Sequence, residues 1–216
     1  MAVLMNVPVT VSPTSLTFPT QVLGTSSASQ TVTLHNGAPT SLTISSISIT
    51  GTNSGDFSET NNCGSALSGN ASCTITVVFK PAGINHRAAN LTIIDSAGTQ
   101  TVALSGTGTA ASFSPTSLTF AAQTVGTTSA AQTITLTNVS GGSTITFSGS
   151  GIAITGTNAT DFAQTNNCGT SLAAKKSCTI TVTFKPTATG SRSAAVSVTD
   201  NAGGSPQTVP LTGTGK

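Results

Sequence analysis

The segment Asn61-Asn62-Cys63-Gly64, continued by Cys73-Thr74-Ile75-Thr76-Val77 and Phe79-Lys80-Pro81, returns in the same order and spacing further along the chain. The second version reads Asn166-Asn167-Cys168-Gly169, Cys178-Thr179-Ile180-Thr181-Val182 and Phe184-Lys185-Pro186. Outward from this block, Ser12-Pro13-Thr14-Ser15-Leu16-Thr17-Phe18 recurs as Ser114 to Phe120. Gly51-Thr52-Asn53 with Asp56-Phe57 recurs as Gly156-Thr157-Asn158 with Asp161-Phe162, and Leu104 to Gly108 recurs as Leu211 to Gly215. The copies differ in length near residues 138–151 and 203–206, both rich in Gly and Ser, where turns accept insertions most easily. A period this long means two complete domains, not a solenoid whose repeats must stack to be stable. The division that follows is an N-terminal extension over residues 1–11, a first repeat over 12–108 and a second over 109–216.

Each copy carries strand signals throughout. Gln30-Thr31-Val32-Thr33-Leu34, Cys73 to Phe79, Ala89 to Ile94 and Thr99 to Leu104 alternate polar and apolar residues, the period of a strand with one face buried and one wet. Threonine suits the wet face, because its branched Cβ fits the pleat while its hydroxyl stays solvated. Gly, Pro, Asn and Ser separate these runs, and no window carries a useful 3.6-residue apolar period. About seven to eight short strands per hundred residues predict an all-β chain of two tandem immunoglobulin-like antiparallel β-sandwiches. Gly106 to Ser112 joins the repeats without a long flexible tract, which predicts limited hinge freedom.

Composition bounds the partners. The chain has 216 residues, seven basic and five acidic side chains and a net charge of +2. That is too few cations for a phosphate-binding surface, so no nucleic-acid partner is expected. No apolar run approaches the roughly 20 residues that span a bilayer as a helix, so no membrane insertion is expected.

The four cysteines fall two per repeat. Of the three pairings open to four cysteines, only Cys63–Cys73 with Cys168–Cys178 lets each repeat close its own bond. Free thiols and a metal site are the competing readings, but Cys-x-x-Cys is absent and no histidine occupies matching positions in the two copies. A closed loop this short is worth roughly 3 kcal/mol per bond in the chain-entropy picture. Regular intradomain disulfides imply an oxidising space outside the cytoplasm, and the expected location is extracellular or at the cell surface.

Duplication also supplies a control for chemistry. Lys80 matches Lys185, Arg87 matches Arg192, Asp56 matches Asp161 and Asp95 matches Asp200. Groups that recur at the same place in both copies are read as turn and strand-end charges belonging to the fold. His35 aligns with Thr137 and His86 with Ser191, and neither has a carboxylate near it in sequence. No Gly-x-Ser-x-Gly elbow or His-Glu-x-x-His motif occurs, so no catalytic residue, cofactor-binding residue or metal ligand is assigned and no enzyme is expected. Asp56, Glu59, Asn61 and Asn62 offer oxygens suited to calcium, yet they read better as an Asx-rich turn. Gly106-Thr107-Gly108 and Gly213-Thr214-Gly215 open no helix and make no phosphate loop. The triplets starting at Asn70, Asn90, Asn138 and Asn158 fit glycosylation sequons, which a chain so rich in Ser and Thr produces by chance.

Met1 to Val11 lacks the charged n-region and cleavage signature of a signal peptide. It reads either as a tail, disordered or locally docked, or as an assembly strand. In the second reading Ala2, Val3, Leu4, Met5, Val7, Val9 and Val11 add to a neighbouring sheet edge.

Asp56-Phe57-Ser58, Asn62-Cys63-Gly64, Cys73-Thr74-Ile75, Phe79-Lys80-Pro81 and Leu104-Ser105-Gly106-Thr107-Gly108 together resemble the Hydin-type, or ASH, immunoglobulin-like domain. More narrowly they resemble the bacterial extracellular repeats called choice-of-anchor D, and Phe113 to Gly215 follows the pattern more closely still. The resemblance implies a sandwich similar to major sperm protein and pilus-chaperone domains. It also implies a non-catalytic role as a repeated module of large secreted or surface proteins, and it carries no catalytic residues to transfer. The expected function is therefore a structural or adhesive module, a spacer or assembly subunit whose sheet edges contact protein partners or other copies. The alternatives are a subunit of a surface filament or virion joined through its N-terminal strand, and a carbohydrate- or ice-binding module using flat threonine arrays. The carbohydrate reading is weak, since the chain has no Trp and no Tyr.

Overall fold

Alternation in the sequence becomes alternation in burial. The computed structural model describes residues 9–216, and it divides into two units between Gly108 and Thr109. The strands of the first are β1 Val9–Ser12, β2 Ser15–Thr17, β3 Gln21–Val22, β4 Gln30–Asn36, β5 Leu42–Thr50, β6 Phe57–Asn61, β7 Ala66–Leu67, β8 Ser72–Phe79, β9 Asn85–Asp95 and β10 Gly98–Thr109. Those of the second are β11 Ala111–Ser114, β12 Leu118–Thr119, β13 Gln132–Asn138, β14 Ile145–Thr155, β15 Phe162–Asn166, β16 Ser171–Leu172, β17 Ser177–Phe184, β18 Gly190–Asp200 and β19 Gln207–Gly215. The regular runs are longer than their alternating cores: β4 reaches Asn36 and β10 continues to Thr109.

Each unit is an immunoglobulin-like sandwich of two sheets. In the first, β1-β4-β8-β6 faces β2-β10-β9-β5-β7, with β3 also on β10. In the second, β11-β13-β17-β15 faces β12-β19-β18-β14-β16. The first strand of each unit changes sheet. β1 runs antiparallel to β4, and after Ser12-Pro13-Thr14 the chain returns as β2, parallel to β10. β11 and β12 repeat this across Ser114-Pro115. Proline has no N–H for the ladder, which suits it to the crossing point.

Val9 and Val11 correct part of the assembly-strand reading. They lie in β1, register with Asn36 and Leu34 of β4, and pack against the core of their own unit. Their alternating apolar pattern serves the first sandwich as its edge strand, so the unit begins before residue 12. Ala2, Val3, Leu4, Met5 and Val7 lie outside the described residues.

The longer copy absorbs part of its extra length inside a strand. The register of β14 on β18 breaks between Phe147 and Ile152. Gly149 and Gly151 there both adopt φ +61°, a left-handed backbone that glycine enters at no steric cost. The shorter β5 makes a smaller irregularity on β9 between Ile44 and Ser46.

The cores are aliphatic with one aromatic cluster each. Val32, Leu34, Ile75, Val77, Leu91, Ile93 and Val102 are wholly buried in the first unit, and Ile134, Leu136, Ile180, Val182, Val196 and Val198 in the second. Phe18, Phe57 and Phe79 form a triad with ring centroids 4.9–6.0 Å apart. Phe120, Phe162 and Phe184 repeat it at 4.8–5.9 Å. Phe184 lies over Gly213, where an added Cβ would come within 2.6 Å of the ring. Gly213→Ala is therefore expected to destabilise the second unit by about 1–3 kcal/mol through overpacking. Denaturant unfolding of the variant checks this.

Candidate functional site

Cysteine pairing is intradomain. Cys63 bonds Cys73 and Cys168 bonds Cys178, with Cα atoms 5.0 Å apart in each pair. Each bond ties the loop after β6 or β15 to the start of β8 or β17. Two such bonds belong to a chain that folds outside a reducing cytosol.

The repeated charges, read separately in the sequence, pair with one another. Asp56 ends a 3-10 turn, Ser54–Asp56, and its side chain is 4% exposed. Its Oδ2 accepts from Arg87 Nε at 2.5 Å, and its Oδ1 accepts from the Ala82 backbone N–H at 2.9 Å. Asp161 makes the same pair with Arg192 and accepts from Thr187 through both its N–H and its hydroxyl. Burial pushes the Asp161 carboxyl up, but the hydrogen bonds from Arg192 and Thr187 outweigh it and hold the group below the usual carboxylate range. Each pair latches the 3-10 turn to the start of β9 or β18, and the bond from Ala82 or Thr187 adds the loop before it. Among the described residues these are the only ion pairs.

A second recurring polar group staples the two sheets. Asn36 is fully buried in β4, and its Nδ2 donates to Thr40 O at 2.8 Å and Leu67 O at 3.0 Å, which reaches β7 of the facing sheet. Asn138 repeats this on Ser143 O and Leu172 O. From sequence Asn138 reads only as a chance sequon, and its burial removes it as a glycosylation acceptor. A signal was present: Asn36 and Asn138 end matching strands. Asn70 and Asn90 are exposed, and the Asn158 Oδ1 accepts from the Ser193 N–H.

The remaining candidates are placed as follows. Asn61 Oδ1 accepts from the Cys63 N–H, Asn62 Oδ1 from the Thr74 N–H, and Glu59 Oε2 from Asn61 Nδ2. These bonds tie the oxygens proposed for calcium into the turn. His35 Nδ1 lies 3.0 Å from Ser72 Oγ across the β4–β8 ladder, and His86 is exposed near the start of β9. Among the described residues no group of three or more His, Cys, Asp or Glu is placed to hold a metal ion. Gly106-Thr107-Gly108 lies within β10 and Gly213-Thr214-Gly215 within β19. Asp95 Oδ1 accepts from the Ala97 and Gly98 N–H groups and shapes the β9–β10 turn.

Two matching surface hollows lie on the wet face of the four-stranded sheets. One, about 340 Å³, is lined by Thr60, Asn61, Asn62, Thr74 and Thr76; the other, about 370 Å³, by Thr165, Asn166, Asn167, Thr179 and Thr181. Threonine rows meet there, with Thr33 opposite Thr74 and Thr31 opposite Thr76.

Residues 112–216 match the family model described as Cep192 domain 4. Among solved structures, the ASH/PapD-like domain of human CEP192 (PapD-like domain 7) aligns at 19% identity, covering 46% of this chain and 84% of that one, with a TM-score of 0.36. The periplasmic chaperone SfaE aligns at 11% identity over 94% of this chain and 99% of that one, with a TM-score of 0.35. The VesB protease of Vibrio cholerae aligns at 18% identity over 46% of this chain and 31% of that one, with a TM-score of 0.33. No curated protein matches the sequence. On the family-model match, the second unit is similar to domain 4 of Cep192.

Proposed function

We propose that the chain is a non-catalytic, extracellular structural or adhesive module, a tandem of choice-of-anchor D type that serves as a spacer or assembly subunit. One observation carries this reading: the groups most capable of chemistry are consumed inside each sandwich, twice over. The Asp–Arg latches and the disulfides hold loops, which leaves sheet edges as the surfaces for association. β6 and β15 are five-residue edge strands of the four-stranded sheets, with Thr60 and Thr165 exposed. Unpaired backbone groups on such edges can accept another strand, and lysine on an edge blocks that.

Light scattering of the full chain over a concentration series, beside a Thr60→Lys/Thr165→Lys variant, tests the reading. A monomer at every concentration supports the spacer, and oligomers weakened by the edge lysines support the assembly subunit. Oligomers indifferent to those lysines contradict the use of these edges, and turnover in a broad hydrolase screen contradicts the non-catalytic role.

The filament or virion reading draws on β1, an edge strand that residues 1–8 directly precede. Deleting residues 1–8 should abolish assembly if that reading holds. The threonine-lined hollows favour the carbohydrate or ice reading, for which a glycan array and an ice-recrystallisation assay give direct answers.

A further inference from the structure

We propose that Asp200, Gln207 and Thr109 form a proton-dependent anchor that holds the chain where it enters the second unit. All three are buried, with exposures of 9%, 9% and 4%. The Gln207 Nε2 donates to Gly203 O at 2.8 Å and reaches Asp200 Oδ1 at 3.3 Å and Thr109 Oγ1 at 3.4 Å. Thr109 Oγ1 also accepts from the Ala111 N–H, and the Ala110 N–H donates to Ala202 O. The start of β11 thus hangs on the β18–β19 hairpin through this network.

Its donors and acceptors do not balance. Asp200 Oδ1 accepts from the Ala202 N–H, whereas Asp200 Oδ2 and Gln207 Oε1 are buried without a donor among the described residues. Two buried acceptors without donors are costly, and an ionised carboxyl among them more so. A proton on Asp200 removes the charge and adds the missing kind of group, a donor. Burial pushes the Asp200 carboxyl up, and no charged group contributes. The groups bonded or paired to it, Ala202, Ser205, Gln207 and Phe147, are uncharged.

The first unit offers a comparison. Asp95 Oδ2 and Gln100 Oε1 are likewise buried without a donor, but the residue matching Thr109 in sequence is Val7, which has no hydroxyl to bond. Among the described residues the anchor to the incoming strand is seen in the second unit.

The sign of the effect follows from linkage. Because the folded-state value is raised, the unfolded chain ionises first as pH rises from the ordinary carboxylate value. Stability from this site is present at acid pH and is lost as pH rises through the folded value. The Asp161 latch works in the opposite direction and below the ordinary value, so the two windows do not overlap.

Hydrogen exchange of the full chain, corrected for intrinsic rates and read at the Ala110 and Ala111 amides, tests the anchor. Protection should rise as pH falls from neutral toward the ordinary carboxylate value. Asp200→Asn keeps the shape without the charge, so it should be protected at neutral pH and indifferent to pH over this range. Its melting midpoint at neutral pH should exceed that of the unsubstituted chain. An equal pH response in both chains, or lower neutral-pH protection in Asp200→Asn, overturns the proposal. Should that variant not fold, carbon-13 titration of the Asp200 carboxyl in the unsubstituted chain decides. A midpoint above the ordinary carboxylate value supports the anchor, and one at or below it overturns the anchor.

Discussion

Arg192→Ala is expected to destabilise the second unit by about 3–5 kcal/mol, the cost of leaving one partner of a buried ion pair alone. The Asp161 side chain is fully buried, and without the guanidinium only the Thr187 hydrogen bonds remain to satisfy it. The carboxyl then loses the main group holding it below its usual range. Stability from this latch is present above the ordinary carboxylate value and lost as pH falls through the lowered folded one. In the variant that acid-side loss should shrink. Asp161→Asn/Arg192→Ala removes the stranded charge and should recover part of the loss, so the pair is non-additive. Urea unfolding of the four chains at neutral and acid pH measures both effects. A cost below 1 kcal/mol for Arg192→Ala would mean that the latch holds nothing.

Phe184→Ala should cost about 3–5 kcal/mol, the range for truncating a buried aromatic. The side chain is 0% exposed and lies within 6 Å, centroid to centroid, of Phe120 and Phe162. Gly213 also lies against the ring and has no side chain to swing into the space. Against a typical domain stability of about 5–15 kcal/mol, a loss this large leaves the second unit marginal. Phe113 is only half-buried in β11, and Phe113→Ala should cost visibly less. Denaturant midpoints compare the two, and equal losses would contradict the packing described for the triad.

The fold was legible because the sequence states it twice. Alternation along Cys73 to Phe79 marks a strand, and its return at Cys178 to Phe184 separates the pattern of a domain from accident. Pairings between distant elements were harder to see. Asp56 and Arg87 stand 31 residues apart, and no local periodicity relates a turn after β5 to the start of β9. A usable hint was that two opposite charges recur together at one fixed spacing, as a bonded pair must. Asn36 was hidden for another reason: an asparagine ending a strand looks like a turn residue until the facing sheet brings Leu67 O to it. In sequence Val9 and Val11 group with the residues before them, because alternation alone cannot say whose sheet a strand joins. Pairing with β4 answers that for residues 9–12.

The most direct measurement is peptide mapping of the full chain under non-reducing conditions, with free thiols counted, after expression into an oxidising compartment. Two self-contained sandwiches predict Cys63 linked to Cys73, Cys168 linked to Cys178, and no free thiol. Crosslinks between the halves, or four free thiols in the folded chain, would contradict it.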